Sequence, residues 1–192
     1  MQSCYFLMTD HETKSNGKCL DEIHLVMDLI YDEQADVEVV FSFSDLSMAE
    51  NFDPGWGAAH RICAQKGANG PVGLGPFGLV TLATVDFHEY THVFFMIFKA
   101  DNNKHKIVLC SDARNSSHAG DLYKPTFAGF TPLRSLIDNS VVESFGAGGR
   151  TCITSRVYPE KTIYNNARLF AFNHGSSSIT VREADCVEHE ER

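Results

Sequence analysis

The chain has 192 residues, 43% of them apolar and 11% aromatic, and a formal charge of −9, which excludes a disordered polymer and fits one globular domain with its own core. An acidic balance argues against a nucleic-acid partner, which needs a basic footprint to displace phosphate counterions. No run of about 18 apolar residues exists to span a membrane. The charge is uneven: residues 1–50 hold 11 acids against two bases, a net of −9, whereas residues 51–192 hold 14 of each.

The start, Met1 to Asp10, has no basic region, and its apolar stretch is broken by Thr9 and Asp10, so it does not read as a signal peptide. Taken literally, that leaves the chain in the cytosol, with its compartment open. Residues 9–18 read as polar loop. Cys19–Ile30 reads as a short amphipathic helix, with Leu20, Ile23, Met27 and Ile30 on one side, although Leu25, Val26 and Leu29 widen the apolar surface.

From Asp36 onward the pattern is that of strands. Val37, Val39, Phe41 and Phe43 alternate with Glu38, Val40, Ser42 and Ser44, the period of a half-buried strand. Leu79–Val85 and His92–Lys99 are short apolar runs rich in β-branched and aromatic residues, as in strands buried on both faces. Further strands are expected at Lys106–Cys110, Leu133–Asp138, Val141–Phe145, Thr151–Tyr158, Arg168–Asn173 and Ser178–Arg182. Gly146-Ala147-Gly148-Gly149 reads as the loop of a hairpin. Many short strands, with no internal repeat, predict an all-β sandwich or barrel and not a propeller. The expected organisation is an acidic segment 1–35, a sandwich 36–182 and a polar tail 183–192.

Three motifs invite a chemical reading. His88-Glu89-Tyr90-Thr91-His92 matches HExxH, whose zinc chemistry needs both histidines on one helical face. Here it runs into the strand-forming Val93–Phe98, and histidines four apart on a strand lie roughly 13 Å from each other. The metzincin continuation would place glycine where Phe95 stands. Gly73-Leu74-Gly75-Pro76-Phe77-Gly78 matches GxGxxG, but a strand follows where a dinucleotide site needs a helix. No GxSxG elbow occurs. The six cysteines (Cys4, Cys19, Cys63, Cys110, Cys152, Cys186) contain no CxxC pair. No catalytic, cofactor-binding or metal-binding residue is therefore assigned, and no cofactor is expected.

One set of segments is more specific. Gln65-Lys66-Gly67-Ala68, Gly75-Pro76-Phe77-Gly78-Leu79, Leu109-Cys110-Ser111-Asp112-Ala113-Arg114-Asn115 and, above all, the block Leu133–Gly146 continued by Gly149–Pro159 resemble, in order, the C-terminal domain of plant acid invertases and related fructan-active enzymes, glycoside hydrolase family 32. The resemblance covers about Asp36 to Arg182. It implies a two-layer antiparallel β-sandwich of the lectin-like or jelly-roll type, in a secreted family found in the vacuole or cell wall. It also implies a catalytic propeller as partner in cis, with a nucleophile in W-x-N-D-P-N-G, a stabilising aspartate in R-D-P and an acid/base glutamate in E-C-P. None of these motifs occurs here; the sole Asp-Pro, Asp53-Pro54, lies between Phe52 and Gly55. The chain is expected to be inactive alone toward sucrose and fructans.

The resemblance further implies a disulfide between Cys63 and Cys110, worth roughly 3–4 kcal/mol by chain entropy in an oxidising compartment, against two buried thiols otherwise. It implies a glycosylated Asn115 in Asn115-Ser116-Ser117, or an unused sequon. Cys152 reads as a buried small residue. Arg134, Asp138, Glu143, Arg150 and Arg156 form either a polar network at the sandwich edge or a surface docked on the propeller. Trp56 either stacks on sugar or covers a sandwich edge. The competing functions are a stand-alone sugar- or protein-binding module and a zinc hydrolase.

Overall fold

The computed structural model describes residues 24–31, 34–43, 45–70, 73–118, 126–129, 134–138, 140–146, 151–162 and 167–188. Twelve strands and two short helices follow one another. They are β1 (His24–Tyr31), β2 (Gln34–Phe43), β3 (Glu50–Asn51), a 3₁₀ turn (Pro54–Trp56), α1 (Ala59–Lys66), β4 (Leu74–Ala83), β5 (Thr91–Lys99) and β6 (His105–Asp112), then β7 (Thr126–Gly129), β8 (Arg134–Asp138), β9 (Val141–Gly146), β10 (Thr151–Arg156), β11 (Ala167–Asn173) and β12 (Ile179–Glu188).

The strands form two sheets. A seven-stranded sheet runs β1-β11-β4-β5-β6-β7, with β3 paired to the end of β5, and a five-stranded sheet runs β10-β9-β8-β2-β12. The long-strand ladders are antiparallel; only β3 lies parallel to its partner. The fold is thus the expected all-β sandwich.

Between the sheets lies a core built from alternate residues, including Val37 and Val39 of β2, Leu79 of β4, Phe95 and Ile97 of β5, and Ile137, Val142 and Ile153 from the other sheet. The intervening residues of the seven-stranded sheet are buried too. Phe94, Met96 and Phe98 of β5, Val108 and Cys110 of β6, and Phe170 and Phe172 of β11 form a second apolar layer beneath α1. The continuous apolar runs in the sequence therefore report a sheet covered on both faces, each large side chain contributing about 1.5–3 kcal/mol.

The glycine-rich loop is explained by close backbone approach. At Gly75, with φ of +106°, a Cβ would meet the carbonyl oxygen of Phe95 at 2.5 Å, so only glycine lets β4 lie against β5 there. The residues after the motif form β4, which gives a strand where a dinucleotide site would need a helix.

Three expectations need correction. The helix expected over Cys19–Ile30 is not formed in its described part, because His24–Tyr31 is the strand β1, paired antiparallel to β11 from His24↔Asn173 to Tyr31↔Ala167. The cause is the wide apolar spread noted above: pairing with β11 overrides a weak helical preference, with one irregularity between Leu25 and Met27. Residues 19–23 lie outside the described residues. Second, the sandwich crosses both expected boundaries, since β1 precedes residue 36 and β12 runs on to Glu188 along β2. Third, α1 was not expected. The hairpin expected around Gly146 is present as β9 paired to β10, Gly146 opposite Thr151, with residues 147–150 outside the described residues.

Candidate functional site

The HExxH residues separate in the fold. His88 is exposed and its ring stacks on that of His118, the centroids 4.0 Å apart. His92 sits on β5 in the outer aromatic layer, its ring 4.9 Å from Tyr90 and 5.1 Å from Phe172. Burial pushes His92 down to about 4; Asp112, opposite it in register, opposes the shift, whereas His174 and Arg114 add to it. Glu89 is fully buried, and its Oε2 accepts the backbone N–H groups of Glu160 at 2.9 Å and Lys161 at 2.7 Å. A carboxylate held this way anchors a loop; it is not placed to activate a metal-bound water.

Cys63 of α1 and Cys110 of β6 are disulfide-bonded, with Cα atoms 5.7 Å apart. Both residues are buried, so the bond fastens α1 to the outer apolar layer. The helix has no side-chain N-cap at Ala58 and ends at Gly67, whose N–H returns to the Cys63 carbonyl. Packing and the crosslink hold a segment too short to persist alone.

Trp56 is half-buried and packs edge-on against Phe52 (5.6 Å) and Phe98 (5.1 Å). The Nζ of Lys66, paired with Glu50 at 2.5 Å, lies 5.1 Å over the indole. With a cation over the ring and aromatic edges around it, the indole covers the sandwich and does not offer a clear platform to sugar. Asn115 is exposed, and its Nδ2 donates to the Tyr90 hydroxyl at 2.8 Å, while Ser117 is buried. Cys152 is exposed, contrary to the expected buried thiol, because outward positions on β10 alternate with buried Ile153 and Ser155.

The charged residues of the signature block fall on the outer side of the five-stranded sheet. Asp138 and Arg156 are exposed; Glu143 is half-buried and accepts the Thr154 hydroxyl at 3.0 Å. The Arg156 guanidinium lies 5.7 Å from the Tyr158 ring. Arg134 takes the register position between Glu38 and Phe145, and Arg150 lies outside the described residues. The sheet also brings together residues that sequence reading missed. Leu136 of β8 stands opposite Glu143 of β9, which is flanked by Val141 and Phe145; all three apolar residues are half-buried on the same face. Strand parity was the available signal: buried Ser135, Ile137, Val142, Ser144, Ile153 and Ser155 occupy the alternate positions.

A two-sheet sandwich bearing this charged and apolar outer face, and no assembled catalytic group among the described residues, defines an accessory β-sandwich domain. The family model described as "Glycosyl hydrolases family 32 C terminal" matches residues 7–185, and the chain belongs to that family. It is 55% identical over 164 residues to "Beta-fructofuranosidase, insoluble isoenzyme 1" of Daucus carota, covering 79% of this chain and 28% of that protein. It is 45% identical over 197 residues to the insoluble isoenzyme CWINV4 of Arabidopsis thaliana, covering 92% of this chain and 32% of that protein. Among solved structures, fructan 1-exohydrolase IIa of Cichorium intybus in complex with 1-kestose superposes with a TM-score of 0.78 at 31% identity, covering 97% of this chain and 34% of that one. The chain therefore spans about a third or less of the proteins it resembles, and corresponds to their C-terminal domain.

Proposed function

We propose that this sandwich is the C-terminal accessory domain of a plant β-fructofuranosidase-like glycosidase acting on sucrose or fructans, working beside a catalytic domain in cis. The observation that carries the reading is the superposition on the fructan exohydrolase over 97% of this chain and only 34% of that enzyme. The sequence agrees, since none of the family's three acidic motifs occurs in the 192 residues. Retaining glycoside hydrolysis needs two carboxylates about 5–5.5 Å apart across the scissile bond. The buried Glu89, tied to a loop, and the scattered surface acids supply no such pair.

In this reading the domain matures in an oxidising compartment, the cell wall or the vacuole, where the Cys63–Cys110 bond forms and Asn115 carries a glycan. The exposed position of Asn115 suits a glycan, and one amide N–H remains to bond Tyr90 after attachment. The test is a reducing-sugar assay on sucrose and inulin with the purified chain. No turnover is expected, and clear turnover by these 192 residues overturns the reading.

A further inference from the structure

We propose that the outer face of the five-stranded sheet, centred on Leu136, Val141 and Phe145, is the surface that packs on the catalytic domain preceding this domain in the family's longer members. The inference rests on the accessory-domain reading and specifies its docking face.

The sandwich has two outer faces, and the chain treats them differently. Over the seven-stranded sheet it lays α1 and Trp56, sealing Phe94, Phe98 and Phe172 from water. Over the five-stranded sheet no described element lies. Yet the outward positions there are not uniformly polar, as on a sheet face that meets only water. Val40 is 40% exposed, and Leu136, Val141 and Phe145 are half-buried. Register makes the last three neighbours, since Leu136 pairs with Glu143, between Val141 and Phe145 on β9. Around them stand Glu38, Asp138, Glu143, Thr154 and Arg156. An apolar centre inside a polar and charged rim is the anatomy of a protein interface.

The charges choose the occupant. Asp36, Glu38, Asp138 and Glu143 face outward against the single base Arg156 among positions whose side chains are described. A second copy docked by a two-fold axis would set acids against acids, which is repulsive. A different partner with a basic complement fits, and the family supplies one: the remaining two-thirds of the solved relative, of which this chain covers 34%.

The experiment grafts the full chain in place of the matching segment of the carrot enzyme, to which it is 55% identical. Carboxylates of the graft and of the free chain are then labelled with a carbodiimide and mapped by mass spectrometry. Glu38 and Asp138 are expected to lose labelling in the graft, while the exposed Asp53 and Asp101 on the other side keep theirs. Phe145→Glu should leave the free chain's unfolding midpoint in place and raise proteolytic cleavage of the graft about tenfold. A graft that hydrolyses sucrose while Glu38 and Asp138 stay fully labelled, or in which Asp53 and Asp101 are protected instead, overturns the face and leaves the accessory-domain reading standing. A graft whose domains do not associate, with no hydrolysis, overturns both.

Discussion

Glu89 and Lys161 are 72 residues apart in sequence, and the carboxylate of the first accepts the backbone N–H of the second at 2.7 Å. With the neighbouring N–H of Glu160 on the same oxygen, the contact ties the turn before β5 to the loop after β10. It therefore links an element of each sheet at one end of the sandwich. Removing the acceptor leaves both amides without their partner. Glu89→Ala should lower stability by roughly 2 kcal/mol, and Glu89→Gln, which retains a carbonyl acceptor, by less. Urea unfolding measures both; an unchanged midpoint for Glu89→Ala would show that the anchor contributes nothing.

The buried imidazole of His92 makes stability depend on pH. Its folded value of about 4 lies below the ordinary 6.5, so the unfolded chain binds a proton that the native one refuses. Above pH 6.5 the group has no effect; as pH falls from 6.5 toward 4 the unfolded state gains, up to roughly 3 kcal/mol. His92→Phe, which keeps a ring among Tyr90 and Phe172, should flatten that limb of the stability curve. A mutant curve parallel to the parent between those pH values would refute the assignment.

The crosslink between α1 and β6 is expected to stabilise the domain by roughly 3–4 kcal/mol through the unfolded chain. Replacing Cys63 and Cys110 by alanine should lower the unfolding free energy by about that amount. Non-reducing peptide mapping should recover the two peptides joined, while the exposed Cys152 takes iodoacetamide in the native state. Equal native labelling of Cys63 and Cys152 is the contrary result.

Trp56 is the only tryptophan, so its fluorescence reports the outer layer alone. Trp56→Leu should cost about 1–2 kcal/mol through lost contact with Phe52, Phe98 and Lys66. Calorimetry with sucrose and short fructans is expected to show the same absence of heat for parent and variant. A binding signal abolished by the substitution would restore the sugar platform.

Much of this architecture was legible because its strands obey simple periodicities. The alternation in β2 and the doubly apolar runs of β4 and β5 translate directly into one or two buried faces. Elements held by distant partners were not. The strand β1 depends on β11, nearly the whole chain away, and α1 depends on a disulfide and an apolar sheet without a capping residue to announce it. At two and four residues, β3 and β7 are too short to carry a period. The charged half of the docking surface was visible as a cluster in one sequence block. Its apolar centre was not, because Leu136, Val141 and Phe145 become neighbours only once the register of β8 and β9 is known.

The placement of β1 bears on the acidic beginning of the chain. Two of its 11 early acids, Asp28 and Glu38, lie on strands of different sheets, so the charge does not mark a detachable appendage. Trimming the molecule to residue 36, where the family signature begins, would take away β1 and bare one whole side of β11. That strand, apolar on both faces, would then present an open row of amides and carbonyls to any passing extended chain. The shortened protein would be a template for aggregation, and the unremarkable first strand is what prevents it.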